Sequence, residues 1–276
     1  MTGATDPIAR SASPRVRPSA VAGTFYPGSA DALRAAIRRA FTDAVHPGEG
    51  DPVPEALIVP HAGYVYSGPV AASAYARIIP ARSTIRRVVL LGPSHRSYVH
   101  GLAVSSADAF RTPLGVVPID VACRDAVLAL PGVGVDDRAH ADEHSLEVQL
   151  PFLQTVLDEF TLLPLSVGDA TTDQVAAVLD ACWGGPETLV VISTDLSHYH
   201  RYDDAARLDA RTAAAIVACR PDAVDDRDAC GAYPLRGLLR VTSEHGLTVE
   251  QLDLRNSGDT AGDRHRVVGY GAFAVC

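Results

Sequence analysis

The sequence lacks the features that mark membrane-spanning, secreted and nucleic-acid-binding proteins. Its longest apolar stretches, such as residues 88–91 and 189–192, are far shorter than the ~20 residues of a transmembrane helix. No basic segment followed by an apolar run opens the chain, so we expect neither a membrane span nor secretion. A net charge of −9 and the absence of a Lys or Arg cluster oppose binding to nucleic acid.

Closely spaced cysteine pairs are also missing. The five cysteines include no CxxC pair, and they are Cys123, Cys182, Cys219, Cys230 and Cys276. This spacing favours neither a disulfide framework nor a zinc finger, and we therefore expect a cytoplasmic protein with reduced cysteines. All of them except Cys230 are expected to act as small buried apolar residues.

What the chain does contain is enough apolar sequence for one sizeable core. Of the 276 residues, 47% are hydrophobic and 21% are charged. Residues 1–18 are rich in Ser, Pro, Ala and Arg without apolar periodicity, and we predict a disordered tail there. Because no repeat or linker interrupts the remainder, residues 19–276 are predicted to form a single domain.

Short β-branched runs alternate with helical segments along that domain. This alternation predicts an α/β layered domain with a central, largely parallel or mixed sheet flanked by helices. The predicted strands are residues 56–59, 87–91, 102–104, 160–166, 189–193 and 267–275. The predicted helices are residues 30–44 with Ser29 as the N-cap, 70–79, 145–160, 172–181, 205–218 and 234–245.

Three predicted strands are each followed by a histidine. His61 follows residues 57–59, His95 follows residues 88–91, and His198 comes shortly after residues 189–193. The carboxyl ends of strands form the ligand crevice of open α/β sheets, so these histidines can converge on one point. Imidazole suits both metal binding and proton transfer, and the pattern indicates a metal site or an acid/base site.

Cys230 lies just before a predicted helix. Amide dipoles at a helix N-terminus favour a thiolate, which can bind a metal or act as a nucleophile.

The segment from His140 through Glu143 to His144 matches the H-x-x-E-H pattern of one class of zinc peptidases. That pattern requires both histidines on one helical face. Here Ser145 is predicted to begin the helix and leaves the pattern in the preceding loop, so we disfavour a peptidase. Glu143 and His144 are instead expected to be polar groups around the pocket.

Six motifs in order resemble the Memo family, which is also called component B of the AmmeMemoRadiSam system. The motifs are Ala22-Gly-Thr-Phe-Tyr-Pro27, Pro60-His-Ala-Gly-Tyr64 with Ser67-Gly68, Gly92-Pro-Ser-His95, Asp142-Glu-His-Ser-Leu-Glu147, Ser193-Thr-Asp-Leu-Ser-His198 and Cys230-Gly231. The resemblance extends over about residues 17–276, and six ordered motifs are far more specific than one.

The resemblance implies a fold like that of the class III extradiol dioxygenases, with a cysteine in place of their carboxylate ligand. By this comparison the metal ligands are His61, His95 and Cys230, and His198 is the acid/base histidine. Asp195, Glu143 and His144 would line the pocket. Iron(II) is the expected ion, copper is compatible, and zinc is a substitute. The thiolate would change the electronic properties of the metal and puts ring cleavage itself in doubt.

The sequence leaves three functions open. The first is an oxidoreductase that acts on a small unknown substrate with the help of a mononuclear metal. The second is an accessory protein of the AmmeMemoRadiSam system that binds metal or peptide, with radical SAM and AMMECR1-type proteins as partners. The third is a zinc hydrolase built on His140 and His144.

Overall fold

The computed structural model describes residues 13–276 and shows a mixed sheet covered by helices on both faces. The strands are β1 (Val16–Arg17), β2 (Ala56–Val59), β3 (Arg87–Pro93), β4 (Leu102–Val104), β5 (Ala109–Thr112), β6 (Gly115–Pro118), β7 (Val133–Val135), β8 (Thr161–Val167), β9 (Thr188–Ser193), β10 (His198–His200), β11 (Val249–Asn256) and β12 (Val267–Val275). The helices are α1 (Ala30–Thr42), α2 (Tyr64–Ala76), α3 (Val121–Val127), α4 (Arg138–Ala141), α5 (Leu150–Val156), α6 (Thr172–Cys182), α7 (Tyr202–Val217) and α8 (Ala232–Glu244).

Nine strands form the main sheet, in the order β10-β12-β2-β9-β3-β8-β4-β7, with β11 paired to β12. Its centre, β2-β9-β3-β8, is parallel, whereas β12 and β4 run antiparallel to their neighbours β2 and β8. A second, three-stranded sheet has the order β1-β5-β6. The predicted fold class, an α/β domain with a largely parallel or mixed sheet, is confirmed.

The central strands are buried on both faces. Alternate side chains of β2 and β9 point to opposite sides, so that Leu57 and Val191 join one apolar cluster while Ile58 and Val190 join the other. Helices α1, α2 and α5 cover the first face, and α3, α6, α7 and α8 cover the second. This double burial explains why the central strands read as continuous apolar runs in the sequence.

The N-terminal part of the domain begins earlier than we predicted. Our predicted tail falls mostly on residues 1–12, which lie outside the described residues. However, Val16 and Arg17 form β1, which pairs in parallel with β5. The buried Arg17 side chain pairs with Glu147 and donates hydrogen bonds to the carbonyl oxygens of His140 and Glu143. These contacts attach the segment to the domain before residue 19.

Other differences from the predicted elements have local causes. The helix predicted over residues 145–160 is only Leu150–Val156, preceded by a 3-10 turn, because Pro151 fits only the first turn of an α-helix. Helix α2 begins at Tyr64 and carries Pro69 in its interior, so it starts before the predicted residue 70. Ser29 occupies the N-cap position of α1, but its side chain makes no capping hydrogen bond.

No helix among residues 13–276 is long and apolar enough to cross a membrane.

Candidate metal centre

The carboxyl ends of three adjacent strands bring the site together. Strands β2, β9 and β3 are neighbours and parallel, so the loops that follow them leave the same edge of the sheet. These loops carry His61, Asp195 and His95. Cys230 reaches this edge from the segment before α8, where its amide donates to the carbonyl oxygen of Asp195 at 3.1 Å. Parallel packing therefore fixes the meeting point that the sequence indicated.

His61, His95 and Cys230 form a compact set of potential metal ligands. One ligand-type atom from each residue lies within 4.8 Å of the other two. The Cys230 Sγ lies 3.2 Å from His61 Nε2, and the ring centroids of His61 and His95 are 5.3 Å apart. The structure thus brings together the three residues for which the resemblance implied a ligand role.

Both imidazole rings are held through their Nδ1 atoms. The Nδ1 of His61 is hydrogen-bonded to Ser193 Oγ at 2.9 Å, and the Nδ1 of His95 to Glu143 Oε1 at 2.9 Å. Metal-binding histidines commonly have one nitrogen engaged in this way, which orients the ring and leaves the other nitrogen for the ion. Here Nε2 of each ring is the atom available to a metal.

The sulfur of Cys230 lies in a partly buried polar turn. The backbone amide of Asp195 donates to Sγ at 3.3 Å. Burial raises the pKa of the Cys230 thiol well above its usual range, and the nearby Asp195 carboxylate raises it further. Our prediction of a thiolate at Cys230 is therefore wrong for the metal-free site, where the sulfur keeps its proton. A bound cation would be needed to displace that proton.

Gly231 permits the close approach of this turn to β9. A Cβ at position 231 would lie 2.7 Å from the Cβ of Thr194, closer than side-chain atoms pack. The Gly231 amide donates to Thr194 Oγ1 at 2.9 Å, so the turn that carries Cys230 is fixed directly to the loop after β9.

Glu143 is a buried carboxylate that organises the second histidine. Its burial opposes ionisation, but hydrogen bonds from His144, His95 and the Ser145 amide outweigh that effect and hold its pKa well below the usual range. Its Oε1 lies 3.2 Å from His144 Nδ1, and the His144 ring stacks on His95 with centroids 4.7 Å apart. His95, Glu143 and His144 also form a compact cluster of ligand-type atoms.

Asp195 lies on the loop after β9 and His198 begins β10, and the two side chains differ in environment. Asp195 is buried, and its carboxylate accepts a hydrogen bond from the backbone amide of His61 at 2.7 Å. Burial raises the pKa of Asp195. His198 is half-buried, and its Nδ1 is 2.7 Å from the carbonyl oxygen of Leu196, so Nδ1 carries the proton and Nε2 is left to accept one. The acid/base role of His198 stays a prediction.

The donor set fits a single metal ion. Two imidazole nitrogens and one sulfur supply three donors, one fewer than the four ligands of a structural zinc site. Such soft and borderline ligands suit iron, copper or zinc better than magnesium or calcium.

The H-x-x-E-H pattern does not form a second metal site. His140 lies on the short helix α4 rather than in a loop, and its Nε2 is 3.0 Å from the carbonyl oxygen of Ala103. Neither cluster of ligand-type atoms in residues 13–276 includes it. The zinc hydrolase hypothesis therefore loses one of its two ligands, whereas Glu143 and His144 join the site around His95.

Sequence reasoning missed two residues that support the site. Ser193 ends β9 and touches His61, and Gln149 donates to Ser193 Oγ at 2.8 Å. Ser193 is completely buried and Gln149 almost completely. A serine at the end of an apolar strand, where polar residues are uncommon, is the sequence signal that could have identified Ser193.

Comparisons with known proteins agree with this picture. A family model described as "Memo-like protein" matches residues 17–274. The chain is 36% identical to a MEMO1 family protein of Methanopyrus kandleri, over 93% of this chain and 98% of that protein. It is 37% identical to one of Aeropyrum pernix, with coverages of 95% and 100%, and 37% identical to one of Aquifex aeolicus, with coverages of 93% and 97%.

One solved structure, of an uncharacterized protein from Escherichia coli K12, is also similar. It aligns with a TM-score of 0.49 at 14% identity, over 78% of this chain and 98% of that one. This similarity is too weak to support an argument about the site.

Proposed function

Because the chain belongs to the family of Memo-like proteins, we propose that His61, His95 and Cys230 hold one redox-active metal ion in a dioxygenase-like oxidoreductase that acts on a small substrate. The observation that carries this proposal is the convergence of the three ligand-type atoms within 4.8 Å of one another. The engaged Nδ1 atoms of both rings support it, because they leave Nε2 for the ion.

Iron(II) is the ion we propose first, copper is the second candidate, and zinc is a substitute that the same ligands accept. When bound, such an ion supplies Lewis acidity and, for iron or copper, one-electron redox chemistry. The departure from two histidines and a carboxylate means that ring cleavage itself is not part of the proposal.

The surrounding side chains have distinct tasks in this proposal. His198 offers Nε2 to accept a proton from substrate, since its Nδ1 is fixed by the Leu196 carbonyl oxygen. Asp195 fixes the backbone at His61. Glu143 holds His95, and His144 stacks beside that ring and lines the pocket.

Metal binding is the first test. Apoprotein is titrated without oxygen with Fe²⁺, and in separate samples with Cu⁺ and Zn²⁺, and bound metal is counted after desalting. We expect one equivalent in the wild type and none in His61→Ala or Cys230→Ser. Matched controls are His265→Ala and Cys219→Ser, which lie outside the cluster. An ion that anomalous scattering places away from these three ligands would overturn the proposal.

Oxygen uptake then separates an enzyme from an accessory protein. The iron-loaded protein is offered a panel of small aromatic and other oxidisable substrates, with His198→Ala as a variant that keeps the metal ligands. Substrate-dependent uptake that falls in His198→Ala supports the oxidoreductase. Metal binding without uptake for any substrate would favour the alternative, a non-catalytic metal- or peptide-binding accessory protein.

The accessory alternative predicts partners. Affinity capture with purified radical SAM and AMMECR1-type proteins tests that prediction, and the absence of any complex would count against it. A cytoplasmic location also stays a prediction.

A further inference from the structure

A buried hydroxyl group lies directly behind His61. Ser193 Oγ is 2.9 Å from His61 Nδ1, 2.6 Å from the carbonyl oxygen of Ser145, and 2.8 Å from Gln149 Nε2. Ser193 is completely buried, and Gln149 almost so. A serine hydroxyl has one hydrogen to donate and two lone pairs to accept with, so three such neighbours fully commit it.

The orientation of the Gln149 amide follows from its other neighbours. Its Nε2 lies 3.0 Å from the carbonyl oxygen of Pro60, which can only accept, so the NH₂ group must face that oxygen. Tyr75 supplies the matching donor on the other side, with its hydroxyl 2.9 Å from Oε1. The second hydrogen of the NH₂ group therefore goes to Ser193 and occupies one lone pair of its oxygen.

The single hydrogen of Ser193 is committed in the same way. The Ser145 carbonyl oxygen has no hydrogen, and two oxygens at 2.6 Å need one between them. The hydrogen of Ser193 must supply it. Only a lone pair of Ser193 is then left for His61, so His61 Nδ1 has to be the donor.

We infer that Ser193 is a positioning residue that locks His61 in the Nδ1–H tautomer and so presents the bare Nε2 beside Cys230 before any metal arrives. The carbonyl oxygens of Pro60 and Ser145 can only accept. They therefore fix the direction of the hydrogen bonds that join Gln149, Ser193 and His61, which we call the relay. The tautomer is thus determined by the fold rather than by the ion. The functional meaning of this fixed tautomer rests on the proposed metal site, whereas the tautomer itself can be measured without metal.

The second histidine is held differently. His95 Nδ1 faces the carboxylate of Glu143 rather than a hydroxyl, and a carboxylate partner makes an imidazole a more basic ligand. The two imidazoles of one site would therefore differ in donor strength, with His61 the weaker. This asymmetry comes entirely from the groups behind the rings.

The test observes the tautomer directly. Apoprotein with ¹⁵N-labelled histidine is studied at neutral pH by long-range ¹H–¹⁵N correlation, with His61→Gln to assign the His61 signals. We expect His61 to show a protonated Nδ1 and an unprotonated Nε2. A His61 ring with its hydrogen on Nε2 would overturn the proposal, even if the protein binds metal.

Variants then test whether Ser193 is responsible. Ser193→Ala should give a mixture of tautomers and weaken Co²⁺ binding about 10- to 100-fold, and Ser193→Thr, which keeps the hydroxyl, should restore both where it folds. The control is Ser166→Ala, because Ser166 is equally buried and its hydroxyl has no hydrogen-bond partner in the described part of the chain. An unchanged tautomer and unchanged affinity in Ser193→Ala would contradict the inference.

The outcomes separate the two proposals. If the wild type binds no Co²⁺ but shows the expected tautomer, the proposed function fails and the relay stands. If it binds Co²⁺ with the opposite tautomer, the relay fails and the metal site stands. Should Ser193→Ala not fold, the wild-type tautomer still decides the matter.

A second inference rests on a pair of cysteines that lie on the face of the main sheet opposite α1. Cys123 of α3 and Cys182 of α6 are buried with their sulfur atoms 3.1 Å apart, whereas we expected each to be an isolated apolar residue. The sequence separates them by 59 positions, so only the packing of α3 against α6 brings them together.

The two thiols are not equivalent. Cys123 is 8% exposed and Cys182 is 2% exposed, so a small oxidant reaches the sulfur of Cys123 more easily. Cys123 is therefore the sulfur that attacks an oxidant, and Cys182 is the partner that resolves the product.

We infer that Cys123 and Cys182 are a peroxide-oxidisable pair that closes to a disulfide. The Cys123 sulfur attacks one oxygen of hydrogen peroxide and the O–O bond breaks. The thiol proton goes to the leaving oxygen, so that a sulfenic acid and one water form. Cys182 then attacks that sulfur, the S–O bond breaks, and a second water leaves. Overall, two thiols and one hydrogen peroxide give one disulfide and two waters.

Peroxide treatment with mass spectrometry tests this pair. The full-length protein should lose two hydrogen atoms and yield one peptide that joins Cys123 to Cys182, and dithiothreitol should reverse the change. Cys182→Ser should instead accumulate a sulfenic acid at Cys123 that dimedone traps, and Cys219→Ser is the control. Links that involve other cysteines, or no link at all, would overturn the inference.

Discussion

His61 and His140 are both almost completely buried, yet they have opposite surroundings. His61 is held at Nδ1 and faces the sulfur of Cys230 and the ring of His95 with its other nitrogen. His140 donates from Nε2 to the Ala103 carbonyl oxygen, and its Nδ1 has no hydrogen-bond partner within residues 13–276. Burial therefore does not distinguish a candidate ligand from a structural histidine, whereas the ligand-type atoms around the free nitrogen do.

Removing a proposed ligand should give the largest loss of metal affinity. His61→Ala and Cys230→Ser should each weaken metal binding by more than about 100-fold, because a direct ligand contributes more than the groups behind it, which contribute about 10- to 100-fold. His140→Gln, which can still donate to Ala103, should bind metal like the wild type. Isothermal titration with Co²⁺ measures all three, and a loss of affinity in His140→Gln would break the distinction.

The pH dependence of stability should reveal the buried state of His140. Burial lowers its pKa from 6.5 to about 4. Above pH 6.5 both folded and unfolded chains carry a neutral ring, and the full stability is present. Between pH 6.5 and about 4 the unfolded chain binds a proton that the folded chain does not, so stability falls as the pH falls. The difference in pKa corresponds to about 3 kcal/mol.

Urea unfolding of metal-free protein between pH 7 and pH 4 measures this change, and His140→Gln should reduce its slope. His61 also has a lowered pKa and contributes in the same direction, so His61→Gln is the matched comparison. Equal pH slopes in His140→Gln and the wild type would contradict the assignment.

Glu143→Gln should reduce the difference in donor strength between His61 and His95. The amide replaces a carboxylate that accepts from the ring of His95 and from the backbone amides of His95, His144 and Ser145. We expect metal affinity to fall about 10- to 100-fold, as for other groups behind a ligand. Co²⁺ titration measures it, and the control is Glu250→Gln, which changes an exposed carboxylate paired with the buried Arg77.

An exposed histidine gives the smallest expected effect. His100 faces Asp169 at 2.9 Å, but its side chain is 83% exposed. His100→Ala should leave metal affinity and the midpoint of thermal unfolding unchanged, because exposed ion pairs contribute little. A clear change in either would show that the loop after His95 depends on this contact.

Prediction from sequence succeeded where the signal was local and repeated. Three strands that end in Pro-His, Gly-Pro-Ser-His and Asp-Leu-Ser-His patterns indicated one crevice. The parallel centre of the sheet then brings His61 and His95 together, while the role of His198 stays a prediction. Failures occurred where the strand pattern is weak. Strand β11 was missed because it mixes polar and apolar residues instead of forming an apolar run, and Glu250 and Gln251 are exposed.

The amino-acid sequence by itself determined the layered α/β class, the family, and the residue types that can bind a metal, because apolar periodicity and ordered motifs are properties of neighbouring residues. The tertiary structure decided that His140 is structural, that Ser193 and Gln149 support His61, and that Cys123 meets Cys182. Those relationships join residues far apart in the chain. They depend on distances of about 3 Å, which only the packed sheet and its helices can fix.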